Sequence, residues 1–265
     1  MSAEVVTVRG MRRASGTAAR LRALGRAELT LLRRNKAAMF TALVLPLTFT
    51  TAMKSTVDGL NLKEAGLSPE TVLLPGTLGF VLLFGIYANL VPAYVVRRDE
   101  LVLKRLRCGE LTDREILAGT ALPSLVIALV QCLLVAAGAA LVLDVAAPEA
   151  PHLALAGVLC GMVMLAALAA ATAGVTRSAE GAQLSVMPLL MLSMAGSGLV
   201  FPLEVLPDRV ASVCEVLPLT PVVGLIRAGW TGASGQTLGQ LVTAMVWTGV
   251  AVFAVRRWFR WEPRQ

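Results

Sequence analysis

The sequence is poor in charge and in the residues that enzymes use for catalysis. Only 15% of its 265 residues are charged, against roughly 25% in a typical soluble domain. No Gly-x-x-x-x-Gly-Lys-Ser/Thr motif for binding ATP phosphates occurs. His152 is the only histidine, and because it follows Pro151 at a predicted helix start, a solvated surface role is favoured over catalysis. The sequence therefore excludes an ATPase with its own phosphate loop.

Cysteines are few and widely separated. The four cysteines are Cys108, Cys132, Cys160 and Cys214. Their spacing predicts neither an intrachain disulfide nor a metal site. Cys214 could pair between two copies of the chain, but a free buried thiol is the favoured interpretation.

Long uncharged intervals are abundant, and 56% of the residues are hydrophobic. A charge at the bilayer centre costs at least ~2.5 to 3.5 kcal/mol, and a transmembrane helix needs about 17 to 25 apolar residues. Six intervals meet this condition: Ala37–Met53, Thr71–Val96, Ile116–Leu143, Ala150–Thr176, Gly181–Leu203 and Ala228–Val255. The first also suits a buried core helix or a signal peptide, although its long basic flank favours a span. We predict an all-α membrane protein with six transmembrane helices in a single domain, residues 1–265.

The distribution of basic residues predicts the orientation. If both termini are cytoplasmic, 20 of the 24 Lys and Arg residues fall on the cytoplasmic side, as the positive-inside rule requires. The net charge of +7 then faces anionic lipid head groups. We expect the lipid membrane, and no nucleic acid, as the partner of this charge.

Residues 1–36 are basic throughout. Residues 1–19 mix Gly, Ser, Thr and Arg without an apolar period, which predicts a disordered arm. In residues 20–36, leucines follow one helical face and arginines flank it, which predicts a helix in the cytoplasmic interface. The alternative is a basic flank that only orients the first span.

Arg97–Glu115, which we call the elbow, is the most charged part of the chain and follows the second predicted span. Its pattern predicts a helix to Cys108 with a Glu100–Lys104 pair and an apolar stripe of Val102, Leu103 and Leu106. We then expect a break at Gly109 and a new helix that begins with a Thr112–Glu115 capping box. The alternative is a solvated loop that only fixes the topology.

The elbow and the residues after it resemble the first cytoplasmic loop of ABC-2 type exporter permeases. The resemblance rests on a Leu-Lys-Arg-Leu-Arg core, residues 103–107, with acidic residues before it and Ile116, Leu117 and Gly119 after it. Gly109-Glu110 replaces the Thr-Pro that usually follows the core. The resemblance implies docking of a separate cytoplasmic ATPase on Asp99, Glu100, Leu103, Lys104, Arg105, Leu106, Arg107 and Glu115.

A second resemblance lies in Gly196–Gly232, which is similar to the segment after the fifth span of the same family. It rests on these residues: Gly198, Phe201, Pro202, Glu204, Pro207, Pro218, Leu219, Thr220, Pro221 and Arg227. In the family this segment forms short re-entrant or extracellular helices between spans five and six. The prolines are compatible with this interpretation, because each removes an N–H and breaks a continuous helix.

Polar residues within the spans are candidates for a translocation path. They are Tyr87 and Asn89 in the second span, Gln131 in the third, and Ser193 and Ser197 in the fifth. Met187, Met191 and Met194 recur at helical spacing on the fifth span and offer an adaptable surface to an apolar ligand. Ordinary helix packing is the alternative for each residue. The resemblance implies that the second and fifth spans line the path in a dimer.

The resemblance also implies a function. It predicts a permease subunit of an ATP-binding-cassette exporter that moves a hydrophobic drug, antibiotic or natural product across a bacterial cell membrane. We expect no cofactor in this chain, because ATP would be used by the partner subunit, and a second permease copy as a further partner. The alternatives are a lipid-linked glycan exporter of the same type and a membrane-embedded enzyme or scaffold.

Overall fold

The computed structural model describes residues 48–52, 69–107, 112–142, 146–200, 202–203, 206–233, 235–259 and 261. The predicted arm, the predicted interfacial helix, most of the first predicted span and the break at Gly109 lie outside these residues. Every regular element within the described ranges is a helix. The all-α class of the prediction is therefore confirmed.

After the short helical stretch at residues 48–52, nine α-helices and one π-helical turn follow each other along the described chain. They are α1 (Pro69–Leu82), the π-turn (Leu83–Ala88), α2 (Asn89–Asp99), α3 (Val102–Arg107), α4 (Asp113–Val142), α5 (Pro151–Val175), α6 (Ala179–Gly196), α7 (Asp208–Glu215), α8 (Thr220–Thr231) and α9 (Thr237–Trp258). Four helical segments are long and apolar enough to cross a membrane, namely Thr71–Asp99, Asp113–Leu141, Pro151–Val175 and Thr237–Trp258. The pair α7 and α8, bent by 97°, would make a fifth if counted as one span.

The helix ends differ from two of the predicted intervals. α6 ends at Gly196, seven residues before the predicted limit at Leu203, and the chain then turns through Gly198 with φ +72°. The interval predicted for the last span begins inside α8, whereas α9 starts only at Thr237. Both predictions were wrong because an absence of charge does not reveal where a backbone turns.

α8 lies at the centre of the helix packing. It contacts α1, α5 and α9, and its buried residues include Val222 and Ile226. α5 approaches it through glycines: a Cβ on Gly157 would lie 2.9 Å from Ile226, and one on Gly161 would lie 2.7 Å from Val222. With 12 residues, α8 is about 18 Å long, which is too short to cross a hydrocarbon core of about 30 Å.

The long helices differ in how much of their surface the chain itself covers. In the most apolar 18-residue stretch of Thr71–Asp99, 78% is buried inside the chain. The corresponding values are 17% for α4 and 11% for α9. Leu133 and Leu134 on α4 and Phe253 on α9 are among the exposed apolar side chains. α4 and α9 therefore present apolar faces to the surroundings of the chain, while α1 and α2 lie within it.

Residues 48–52 are helical and pack beside α1. The Phe49 ring stacks on Phe80 with centroids 3.8 Å apart, and Phe80 in turn stacks on Phe84. The Thr50 and Thr77 hydroxyl oxygens lie 3.3 Å apart. These contacts place the end of the first predicted span against the second.

Candidate functional site

The elbow breaks at Leu101, directly after α2. Leu101 has φ +60° and is the one non-glycine residue with positive φ in the described chain. It follows the C-cap residue Glu100, a position where glycine commonly adopts the left-handed conformation. Its N–H donates to the carbonyl of Arg98 (3.0 Å). Its carbonyl accepts from the N–H of Arg105 (3.0 Å), and this bond closes the first turn of α3. The prediction of one continuous helix to Cys108 is therefore wrong, and Glu100 and Lys104 do not share a helix.

The break turns an apolar side chain outward among charges. Leu101 is 38% exposed, and Glu100 and Arg105 on either side of it are also exposed. A left-handed conformation costs a residue with a Cβ roughly 1 to 2 kcal/mol. Such local strain is found preferentially at functional sites, so Leu101 is a candidate contact residue of the elbow.

Leu103 faces the inside of the chain. Its side chain is fully buried, whereas Val102 and Leu106 are partly exposed. The prediction that Leu103 forms part of an outward docking stripe is therefore wrong. The physical reason is the break at Leu101: α3 begins only after it, so the residues of α3 do not continue the helical faces of α2. Lys104 and Arg107 also lie on α3.

The capping box predicted at the start of α4 is present. The backbone N–H of Thr112 donates to Glu115 Oε2 (2.8 Å), and the N–H of Glu115 donates to Thr112 Oγ1 (3.4 Å). The Thr112 hydroxyl also donates to Glu115 Oε2 (2.9 Å). These bonds satisfy backbone donors that the first turn of a helix leaves free. They fix the point at which the elbow becomes a membrane-spanning helix.

Arg98 joins the end of α2 to the end of α5. The Arg98 side chain is only 1% exposed. Nη1 donates to the carbonyl of Ala173 (3.0 Å), and Nη2 donates to the carbonyl of Arg177 (3.2 Å). Nε and Nη2 both lie 3.3 Å from Asp99 Oδ1. The guanidinium thus binds one carbonyl in the last turn of α5, at Ala173, and one just beyond the end of α5, at Arg177, and Asp99 balances its charge.

Tyr94 makes a second connection from α2. Its hydroxyl donates to the carbonyl of Leu117 in the first turns of α4 (3.0 Å), and the side chain is buried. The helices before and after the elbow are therefore joined directly. Together with Arg98, this contact anchors the elbow on both α4 and α5.

The second span carries two of the predicted path residues, Tyr87 in the π-turn and Asn89 at the start of α2, and the structure separates them. Tyr87 is buried, and its hydroxyl lies 3.1 Å from Thr172 Oγ1 on α5. Asn89 is exposed, and its Nδ2 donates to the carbonyl of Gly85 (3.3 Å). Gln131 of α4 lies against the π-turn, since a Cβ on Gly85 would be 3.2 Å from its Oε1. Tyr87 and Gln131 therefore belong to internal packing in this conformation.

The predicted path residues of α6 lie on two adjacent faces. Ser193 and Ser197 are buried, and their hydroxyl oxygens have no hydrogen-bond partner among the described residues. Met187 and Met191 are exposed, and Met194 is partly buried against the core. The structure thus does not bring the serines and the exposed methionines into one surface.

A comparison with protein families identifies the chain. The model of a family described as "ABC-2 type transporter" matches residues 19–230, about four fifths of the sequence, including the elbow. The chain belongs to the ABC-2 type transporter family. ABC-2 permeases are membrane components of transporters and normally work with an ATPase subunit. No curated protein is significantly similar in sequence to this ABC-2 transporter chain.

Sequence reasoning missed three residues of the elbow and its anchors. In the sequence Arg98 is one basic residue among several at the end of a span, and nothing local marks it as buried. Tyr94 could have been noticed because only two tyrosines occur in the chain. For Leu101 the sequence holds no signal, since leucine is rarely left-handed.

Proposed function

We propose that this chain is the permease subunit of an ATP-binding-cassette exporter in a bacterial cell membrane, with both termini cytoplasmic. It works with a second permease copy and with a separate cytoplasmic ATPase that docks on the elbow and uses ATP. Its substrate is a hydrophobic compound such as a drug, an antibiotic or another natural product. Family membership and the lack of a phosphate-loop motif in the sequence support this assignment.

The observation that carries the proposal is the construction of the elbow. Leu101, Glu100 and Arg105 form an exposed tip, and Arg98 and Tyr94 anchor the helix before it. A loop that served only to fix the topology would need basic residues but no strained backbone and no such anchors. A tip that presents an apolar side chain among charges, on a rigid base, suits contact with a soluble protein that exerts force.

Transport in inside-out vesicles tests the proposed function. An ATPase partner is first sought among the genes that flank the gene of this chain. The two proteins are then produced together, and ATP-dependent accumulation is measured for a panel of hydrophobic fluorescent compounds. The matched control carries alanine in place of the lysine in the ATPase phosphate loop, and it should accumulate nothing. An ATPase that neither co-purifies with the chain nor hydrolyses ATP faster in its presence would contradict the proposal.

The re-entrant placement of α7 and α8 and the orientation are tested by cysteine labelling. Cysteines at Gly59, Asp208 and Ser234, in a background without native cysteines, should react with an impermeant thiol reagent added to intact cells. A cysteine at Ser15 should react only after lysis. Labelling of Ser15 in intact cells would reverse the orientation, and protection of Asp208 combined with cytoplasmic access would mean that α7 and α8 form an additional crossing.

A further inference from the structure

Arg98 has a position that a purely topological charge does not need. It is buried at the end of α2, yet its hydrogen bonds run to one carbonyl in the last turn of α5, at Ala173, and one just after α5, at Arg177, 75 and 79 residues later in the chain. We infer that Arg98 is a positioning residue that makes the elbow and α5 move as one body. An ATPase that pushes on the elbow would then displace α5 as well as α2. The mechanical part of this inference stands alone, whereas its role in transport rests on the proposed function.

The geometry favours a guanidinium specifically. Three of its nitrogens donate at once, to two backbone carbonyls and to Asp99. The ammonium of a lysine is a single point and cannot reproduce this planar fork. The buried bond to the Ala173 carbonyl and the partly buried bond to the Arg177 carbonyl would be lost if the side chain were shortened. A lysine variant therefore tests geometry while it keeps the charge.

A movement of α5 would be passed on to α8, against which it packs. Gly157 and Gly161 of α5 lie directly against Ile226 and Val222 of α8, so α5 cannot slide along α8 without a clash. Tyr87 and Thr172 make a second connection between the second span and α5. The connection fixed by Arg98 thus leads from the elbow, through α5, to the buried α8 at the centre of the chain.

A distance measurement on the permease alone tests the mechanical connection. Spin labels are placed at Glu100 and Arg177, both exposed, after the four native cysteines are replaced by alanine. Labelling at Arg177 keeps the backbone carbonyl that Arg98 binds. The distance distribution should be narrow in the parent protein and at least twofold broader in Arg98→Lys and Arg98→Gln. Arg256→Gln, which removes an exposed charge at the end of α9, should leave it narrow. An unchanged distribution in both Arg98 variants would overturn the inference.

A second measurement, on the permease–ATPase complex, tests transmission. Because the exposed tip is unchanged, both Arg98 variants should still co-purify with the ATPase, but transport per ATP hydrolysed should fall at least fivefold. Arg256→Gln should match the parent protein. If the distribution broadens but transport per ATP is unchanged, the transmission role is wrong while docking stands. If the parent protein binds no ATPase, the proposed function fails, and the spin-label distances still decide the mechanical connection.

Folding of the variants is checked by size-exclusion chromatography in detergent. If neither Arg98 variant is monodisperse, Asp99→Asn provides the milder change, because it weakens the ion pair and leaves both carbonyl contacts in place. Partial broadening and a smaller loss of transport per ATP are then expected. Parent-like values for both quantities in Asp99→Asn would, in that case, overturn the inference.

Discussion

Replacing Leu101 by glycine should separate docking from stability. Glycine adopts the left-handed conformation without the steric cost that leucine bears at φ +60°. The substitution removes the exposed apolar side chain from the tip but leaves the break, the anchors and every charge in place. It therefore perturbs the proposed contact and little else.

The size of the effect follows from the exposed fraction of Leu101. Fully burying a leucine side chain contributes roughly 1.5 to 3 kcal/mol, and 38% of Leu101 remains for a partner to cover. The docking contribution is then about 0.6 to 1.1 kcal/mol, which weakens binding about three- to sixfold for each elbow. In the free permease, relief of roughly 1 to 2 kcal/mol of backbone strain offsets a loss of buried contact of similar size. The melting temperature should therefore change by only a few degrees.

The assay compares ATPase affinity and melting temperature of the detergent-purified permease. Leu101→Ala keeps the strain but also lacks the side chain, so it should dock as weakly as Leu101→Gly while melting at a lower temperature. Leu103→Ala is the opposite control, because it lowers stability and leaves the exposed tip unchanged. Leu103 is fully buried, and a buried Leu→Ala change costs about 2 to 5 kcal/mol of stability. Parent-like affinity of Leu101→Ala and Leu101→Gly would refute the docking role, and weak binding of the glycine variant alone would assign the effect to backbone flexibility.

Two further substitutions test the packing that supports the elbow. Gly161→Ala should destabilise the permease by about 1 to 3 kcal/mol, because its Cβ would lie 2.7 Å from Val222. The matched control is Gly138→Ala, which has open space around the new Cβ and should be neutral or slightly stabilising. Equal melting temperatures for both variants would contradict the close α5–α8 contact. Tyr87→Phe should lower the free energy of unfolding by about 0.5 to 1.5 kcal/mol through loss of the hydrogen bond to Thr172. The double variant with Thr172→Val should be destabilised by clearly less than the sum of the two single changes.

Helix type and the approximate positions of the long helices could be predicted because they depend on composition. A bilayer excludes charge, so uncharged intervals gave Thr71–Asp99 and α5 to within about three residues. The same criterion failed near Leu203 and Ala228, where uncharged sequence continues through a turn. The six-span count stays a prediction, since α6 is not among the four membrane-capable helices.

The candidate site could be predicted only where its bonds are local in sequence. The Thr112–Glu115 capping box is such a case, because it is determined by two residues only three positions apart. Arg98 and Tyr94 bind carbonyls that are 23 to 79 residues away, and carbonyls carry no side-chain signature. The sequence shows the apolar positions Val102, Leu103 and Leu106 but carries no signal for the break at Leu101 or for the burial of Leu103.

Burial within the chain also limits which residues of the second span could line the predicted path between two permease copies. Tyr87 is held inside by Thr172, and most of Thr71–Asp99 is covered by other helices. Asn89 and Val96 are exposed, and Pro92, at an intermediate position on the same helical face, is partly exposed. The substrate path that the resemblance implies along this span would therefore run over that face. On α6 the corresponding accessible residues are Met187 and Met191, because Ser193 and Ser197 can meet a substrate only after α6 moves away from its neighbours.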